Sequence, residues 1–226
     1  YEKLTNWALK IHDEEEFVQE ILRGQPEPPV YFAMMKKLNK IERTVLTALP
    51  EPKKLSLENL KLALRDGAAI VDTRGKTSFA GGHIPGSLNI QDNNSFSTWS
   101  GWMLSYSQPI VLIASEHRLN ALVRSLVRIG LDNILGYVTD IDEWSYQGND
   151  VELLEQIQVR DLHQTLLISH VELLDVRASS EYTSGFIAGA KHLHAGYLQR
   201  NLSQLDKNKT YVVYCAGGDR SSIASS

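Results

Sequence analysis

Five residues in the middle of this chain recur in the same order 103 residues further on. Asp72 and Arg74 return as Asp175 and Arg177, Gly82 as Gly185, Ile84 as Ile187 and Gly86 as Gly189. Phe79 is answered by Tyr182 at the same spacing, and the run 111–114 matches 212–215 after a small change in length. Identity at one fixed offset marks a duplicated unit, which restricts the fold to two copies of one plan. The copies are expected near residues 55–148 and 158–226. The first continues about thirty residues past its match to Cys215, the second only eleven. The second copy is therefore expected to lack a helix, a strand and a last helix. The chain starts on Tyr1 and stops on Ser226 in mid-motif, so both ends read as cut.

Within the first copy, segments of different periodicity alternate. Residues 57–65 place apolar side chains on one helical face, whereas 68–71 and 110–114 are short apolar runs of strand length. Residues 120–129 read as a helix closed by Gly130, 134–136 as a further strand, and 140–144 as a final turn or helix. Strands alternating with helices imply α/β units with mainly parallel, doubly wound sheets. Ahead of them, residues 1–50 read as helical. A helix over 14–22 sets Phe17, Val18, Ile21 and Leu22 on one side and stops at Gly24. The prolines at 26, 28 and 29 cannot continue a helix. A second helix then carries Tyr31, Phe32, Met35, Leu38 and Ile41 on its apolar face. Two amphipathic helices need a surface, either in this chain or in a domain whose body lies upstream. Residues 49–54, with two prolines and two lysines, read as a polar linker.

The second copy carries the clearest chemical signal. Thr210-Tyr-Val-Val-Tyr reads as a buried strand that ends at Cys215, the one cysteine in the chain. Ala216, Gly217, Gly218, Asp219, Arg220 and Ser221 follow, and serines open a helix. A strand-loop-helix joint aims successive backbone N–H groups into its loop. Cysteines beside arginine or at such joints have thiol pKa values of about 3.5–7.5, against roughly 8.5 for a free thiol. Free cysteines are more commonly small buried apolar residues, but the glycine pair and Arg220 argue for a nucleophilic thiolate. Cys215 and Arg220 are thus the candidate catalytic residues, with Arg220 either steering an anionic donor or tying the loop down. Ala216, Gly217, Gly218, Asp219 and Ser221 are the candidate substrate-binding residues. Asp219 reads as a solvated turn residue or as a filter against small dianions.

Composition excludes several classes. A net charge of −4 and a pI near 6.0 argue against a nucleic-acid or anionic-membrane partner. One cysteine rules out an internal disulfide framework and fits a reducing, cytoplasmic setting. No apolar run approaches the roughly 20 residues of a membrane span. His192 and His194 have metal-ligand spacing but no third ligand nearby, so no metal or cofactor is expected in this chain.

These residues resemble a known family. Ile70-Val-Asp-Thr-Arg74 followed by Phe79-Ala-Gly-Gly-His-Ile-Pro-Gly-Ser-Leu-Asn-Ile90 is similar to the opening signature of a rhodanese domain. The stretch from Leu174 to Ala190 is a second copy, with Phe186 and Ala188 in place of the usual His and Pro, and Cys215 to Ser221 resembles the rhodanese active-site loop. Residues 1–50 are similar to the C-terminal tail of a glyoxalase-II-like metallo-β-lactamase domain. That order resembles the metallo-β-lactamase–rhodanese fusions of the persulfide dioxygenase class. The resemblance implies a sulfurtransferase acting in sulfide metabolism on small-molecule thiols, persulfides or thiosulfate through a Cys215 persulfide. It also implies Fe(II) in the upstream domain, whose His-x-His-x-Asp-His stretch this chain lacks, and leaves a homo-oligomer open.

Rival readings remain at this level. Cysteine phosphatases and arsenate reductases use a similar loop but place five residues between Cys and Arg, where this chain has four. A shorter loop has less room for a tetrahedral oxyanion. A non-catalytic interaction module is the other alternative. The first copy carries Ala114 or Ser115 at the nucleophile position, with Glu116 and His117 replacing the glycines, and is expected to be inactive. Asp72, Arg74, Asp175 and Arg177 occur in both copies and read as structural hydrogen-bonding groups. Trp99, Trp102 and Trp144 read as core or interface residues.

Overall fold

The computed structural model describes residues 1–43, 46–168 and 170–226. The N-terminal segment holds α1 (Glu2–Thr5), α2 (Glu14–Leu22) and α3 (Tyr31–Leu38). Asp13 caps α2 by accepting from the Glu16 N–H, and Gly24 takes the left-handed conformation that ends it. α3 stops at Leu38, so Ile41 falls outside it and is exposed. Tyr31 packs on Gly101 and Leu38 on Gly130, so closely that a β-carbon at either glycine would collide. The segment also reaches the second unit, where Glu27 accepts from the Ser179 N–H.

The first unit is a five-stranded parallel sheet in the order β1-β5-β4-β2-β3. Its elements run β1 (Lys53–Lys54), α4 (Leu57–Arg65), β2 (Ala69–Asp72), α5 (Lys76–Ala80), β3 (Leu88–Asn89), α6 (Phe96–Met103), β4 (Ile110–Ile113), α7 (Glu116–Arg128), β5 (Ile134–Val138) and α8 (Asp142–Tyr146). The central strands alternate between two cores. Ala69, Val71, Ile110 and Leu112 enter one cluster with Leu122, Val123 and Leu126 of α7. Ile70, Val111 and Ile113 enter the other with Leu57, Leu60 and Ala63 of α4. Burial on both faces is why these strands read as unbroken apolar runs, and it makes the unit doubly wound, as expected.

Two expectations need correction here. Lys53 and Lys54 are an edge strand paired with Gly136 and Tyr137, not part of a linker. Pro50 and Pro52 precede it, and proline is compatible with an edge. α7 starts at Glu116, four residues before the expected helix. Glu116, His117 and Arg118 are polar because they form the exposed face of its first turn, where an acidic residue also suits the helix dipole.

The second unit continues with α9 (Leu162–Ile168), β6 (Val171–Asp175), α10 (Ser179–Ser184), β7 (Lys191–His192), α11 (Ala195–Leu198), β8 (Thr210–Tyr214) and α12 (Asp219–Ser225). Its sheet is three-stranded and parallel, in the order β7-β6-β8. Leu174, Val176, Ala195 and Leu198 form its core, and Trp99 of the first unit packs against them. Trp102 lies edge-on to Tyr197 and covers Gly196, where a β-carbon would meet the indole at 2.4 Å. Trp99 and Trp102 therefore fill the junction between the units.

Candidate active site

The duplicated residues build the same brace twice. In the first unit Arg74 grips both oxygens of buried Asp72, at 3.0 and 2.6 Å, and donates to the Gly82 carbonyl at 2.8 Å. In the second, Arg177 grips Asp175 at 2.9 and 2.6 Å and donates to the Gly185 carbonyl at 2.7 Å. Gly82 and Gly185 share a positive φ, 155° and 154°, that side chains rarely adopt. Burial would raise Asp175, but the bonds from Arg177 outweigh it and hold the carboxyl below its ordinary range. The Asp–Arg pairs are thus scaffold, tying the end of β2 in one copy and of β6 in the other to the following loop.

Strand register then fixes the equivalence of the next residues. Asp72 pairs with Ile113 across β2 and β4, and Asp175 pairs with Tyr214 across β6 and β8. The residues that follow these partners are Ala114 and Cys215, so Ala114 rather than Ser115 occupies the nucleophile position. The joints differ in length. In the second unit Cys215 is followed by three loop residues before α12 starts at Asp219, whereas in the first only Ser115 separates Ala114 from α7. Glu116 and His117 are therefore helical and do not replace glycines in a loop.

Around Cys215 the loop turns inward. The Gly218 N–H donates to Cys215 Sγ at 3.0 Å, and Ser221 Oγ lies 3.6 Å from the sulfur and 3.1 Å from the Gly218 carbonyl. Burial of the half-buried thiol would push its pKa up. The Ser221 N–H and hydroxyl, with the N–H groups of Gly218 and Gly217, overcome that and hold it below the ordinary thiol value. Gly218 has φ +92°, the left-handed conformation that lets the loop fold back over the sulfur.

The other expected site residues are distributed as follows. Arg220 is tied down: its guanidinium pairs with both oxygens of Glu181, with 2.9 Å between Nη2 and Oε1. That pairing raises the Arg220 pKa first, with a smaller contribution from Cys215. Of its two expected roles, tethering is the one with geometry behind it. Asp219 opens α12 and is an ion-pair partner, with its side chain still 45% exposed. Its carboxylate takes Lys76 Nζ at 2.7 Å and Asn93 Nδ2 at 3.3 Å, both from the first unit. The hydrogen-bond contacts to sulfur come from Gly218 and Ser221; Ala216 and Gly217 lie between the strand and those groups.

Lys76, Asn93 and Glu181 escaped the sequence reading. A cue existed for Glu181, because its counterpart at the repeat offset is Ser78 and the first unit has no loop arginine to hold; there Arg118 pairs with Asp92 at 2.6 Å instead. Nothing in spacing couples Lys76 to a loop 143 residues away. The two spaced histidines are both engaged elsewhere. His192 stacks on Tyr182 and its Nε2 lies 2.8 Å from the Arg177 carbonyl. His194 is buried beside Trp102 and Tyr197, and burial pushes its pKa down. Among the described residues no group of three or more His, Cys, Asp or Glu side chains is placed to hold a metal ion. No helix among the described residues is long and apolar enough to cross a membrane.

Comparison with known proteins follows the duplication. A family model described as Rhodanese-like domain matches residues 56–147 and again 156–226. The chain is similar to the putative sulfurtransferase YtwF of Bacillus subtilis (strain 168), 41% identical over 49 residues, 22% of this chain and 48% of that protein. It is also similar to an uncharacterized protein of Buchnera aphidicola subsp. Schizaphis graminum (strain Sg), 33% identical over 82 residues, 36% of this chain and 56% of that one. The chain thus spans about half the length of these curated relatives. Among solved structures, a metallo-beta-lactamase from Staphylococcus aureus subsp. aureus COL matches with a TM-score of 0.52 at 35% identity, covering 61% of this chain and 37% of that one.

Proposed function

The chain belongs to the rhodanese-like domain family, and from that premise we propose that it is a sulfurtransferase working through a persulfide on Cys215. The thiolate attacks the outer sulfur of thiosulfate or of a small-molecule persulfide. The donor's S–S bond breaks, and its electron pair leaves on sulfite or on the donor thiolate. The outer sulfur then sits on Cys215, where the N–H groups that hold the thiolate are placed to hold the persulfide anion. An acceptor thiolate, sulfite or cyanide attacks that sulfur, and Cys215 leaves again as a thiolate. The observation that carries this reading is the turn of the loop onto Cys215 Sγ, with the Gly218 N–H at 3.0 Å and Ser221 Oγ at 3.6 Å. Cys215→Ser should lower thiocyanate formation from thiosulfate and cyanide by at least about three orders of magnitude; retention of turnover in that variant overturns the reading.

In the same reading, residues 1–50 are the tail of an upstream metallo-β-lactamase-like domain, and the parent protein is a persulfide dioxygenase–rhodanese fusion acting in sulfide metabolism in the cytoplasm. Two observations support it. Val18, Ile21, Leu22 and Phe32 stand exposed on the N-terminal helices, as surfaces awaiting cover do. The Staphylococcus structure, titled a metallo-beta-lactamase, is similar over 61% of this chain. In this reading Fe(II) belongs to that upstream domain; His192 and His194 make the contacts described above. A search of the full-length protein for bound iron, by metal analysis after purification without chelator, checks this part separately.

A further inference from the structure

Lys76 sits at the start of α5 in the unit that has lost its nucleophile, yet its ammonium group touches the loop of the other unit twice. Nζ donates to the Gly217 carbonyl at 2.5 Å and to Asp219 Oδ1 at 2.7 Å. The backbone end of Lys76 is itself fixed, because its N–H donates to Gln91 Oε1 at 3.0 Å. The carbonyl that Lys76 holds belongs to the peptide whose N–H, on Gly218, points at Cys215 Sγ at 3.0 Å. A trans peptide is planar, with C=O and N–H on opposite edges. Fixing the oxygen on one side therefore aims the hydrogen at the sulfur on the other. The lysine stem lies against this turn so closely that a β-carbon on Gly218 would meet it at 3.1 Å. Neighbouring contacts hold the same interface: Ser222 Oγ donates to Asn89 Oδ1 at 2.6 Å, and the Asn89 N–H donates to Ser226 Oγ at 3.1 Å.

We infer that Lys76 is a positioning residue for Cys215, orienting the Gly217–Gly218 peptide across the junction between the two units. The nucleophile-less unit is then retained as one wall of the partner's sulfur cradle. Asp219 is the secondary anchor, keeping the ammonium group in place from the helix side. The charged groups facing the loop are Arg220 and Asp219 from α12, Glu181 from α10 and Lys76 from α5. Arg220 and Glu181 pair with each other within the second unit, and Asp219 pairs with Lys76, the one contributed by the first unit.

This inference deepens the sulfurtransferase reading but its test does not depend on it. The rate of Cys215 alkylation by iodoacetamide is measured across pH in the full chain, for wild type, Lys76→Met, Lys76→Arg and the double variant Lys76→Met/Asp219→Asn. One charge-assisted N–H bond to sulfur corresponds to about one pH unit. Lys76→Met should raise the alkylation midpoint by about that much with an unchanged melting temperature, and Lys76→Arg should restore part of it. The double variant should stay raised, because the carbonyl remains unheld although the carboxylate is gone. A wild-type midpoint in Lys76→Met overturns the inference. So does a double variant that returns to the wild-type midpoint, which assigns the effect to the charge of Asp219 alone. A depressed wild-type midpoint without thiocyanate formation would instead count against the sulfurtransferase reading and leave the cradle geometry standing.

Discussion

The two units make the matched passages from β4 to α7 and from β8 to α12 in opposite ways, and the contrast explains why only one is a candidate for chemistry. After Ile113 the first unit goes through Ala114 and Ser115 straight into a thirteen-residue helix. After Tyr214 the second inserts Cys215, Ala216, Gly217 and Gly218 before α12 begins, and Gly218 takes a left-handed conformation. The first joint has no turn in which N–H groups can converge. Ala114 is only 2% exposed and closes the apolar core. Losing the nucleophile and losing the loop therefore go together. The scaffold around both joints is unchanged, since the same Asp–Arg–Gly carbonyl brace stands beside each. Duplication kept the frame and divided the roles: one unit holds the sulfur cradle, the other supplies the junction against which it is built.

Substitutions at matched positions sharpen this contrast. Apart from loss of the nucleophile itself, the largest effect is expected at Glu181. Glu181→Gln removes the carboxylate that grips Arg220 and accepts from the Ala178 N–H. A charge-assisted bond of this kind corresponds to about 1.5–3 kcal/mol, so kcat/KM for sulfur transfer should fall about tenfold or more. Ser78→Ala, its counterpart in the first unit, should leave kcat/KM unchanged. Equal effects at the two positions would break the division of roles.

A smaller effect is expected in stability against pH. The folded state holds the Cys215 thiol below its ordinary value, so the thiolate contributes stability that is fully present above the unfolded value of about 8.5. That contribution is lost as pH falls through the folded value. The difference in unfolding free energy between wild type and Cys215→Ser, from urea titrations, should therefore widen as pH rises into that window. A difference independent of pH would contradict the cradle. The smallest effect is expected from adding Ala114→Cys to Cys215→Ser. A thiol restored to the first unit has no loop around it, and thiosulfate-dependent turnover should stay at background; recovered turnover would show that the nucleophile alone, not the loop, separates the units.

Much of this was legible in the sequence, for physical reasons that differ by residue. The duplicated Asp, Arg and Gly residues stood out because the brace needs them: only arginine spans a carboxylate and a carbonyl in one plane, and only glycine readily takes φ near 155°. The helix 57–65 and the runs read at 68–71 and 110–114, which fold as strands 69–72 and 110–113, were legible because burial on one helical face or on both sheet faces leaves a strong apolar signal. Lys53 and Lys54 were not, because an exposed two-residue edge strand has no apolar signature. The loop was legible around Cys215 itself, where its donors are neighbours in sequence. It was illegible at Lys76 and Asn93, which meet it only after folding, and Glu181 left only the faint cue of its mismatch with Ser78. The partners of Asp219 were missed for the same reason, since they lie in the other unit.

The claim on which all of this rests is that Cys215 carries sulfur. The direct measurement is the intact mass of the protein after incubation with thiosulfate and removal of excess donor, followed by peptide mapping. The account predicts a gain equal to the mass of one sulfur atom, located on the peptide containing Cys215, absent in Cys215→Ser and discharged by cyanide. An unmodified Cys215 in protein that remains folded, or a sulfur adduct that persists in Cys215→Ser, would contradict it.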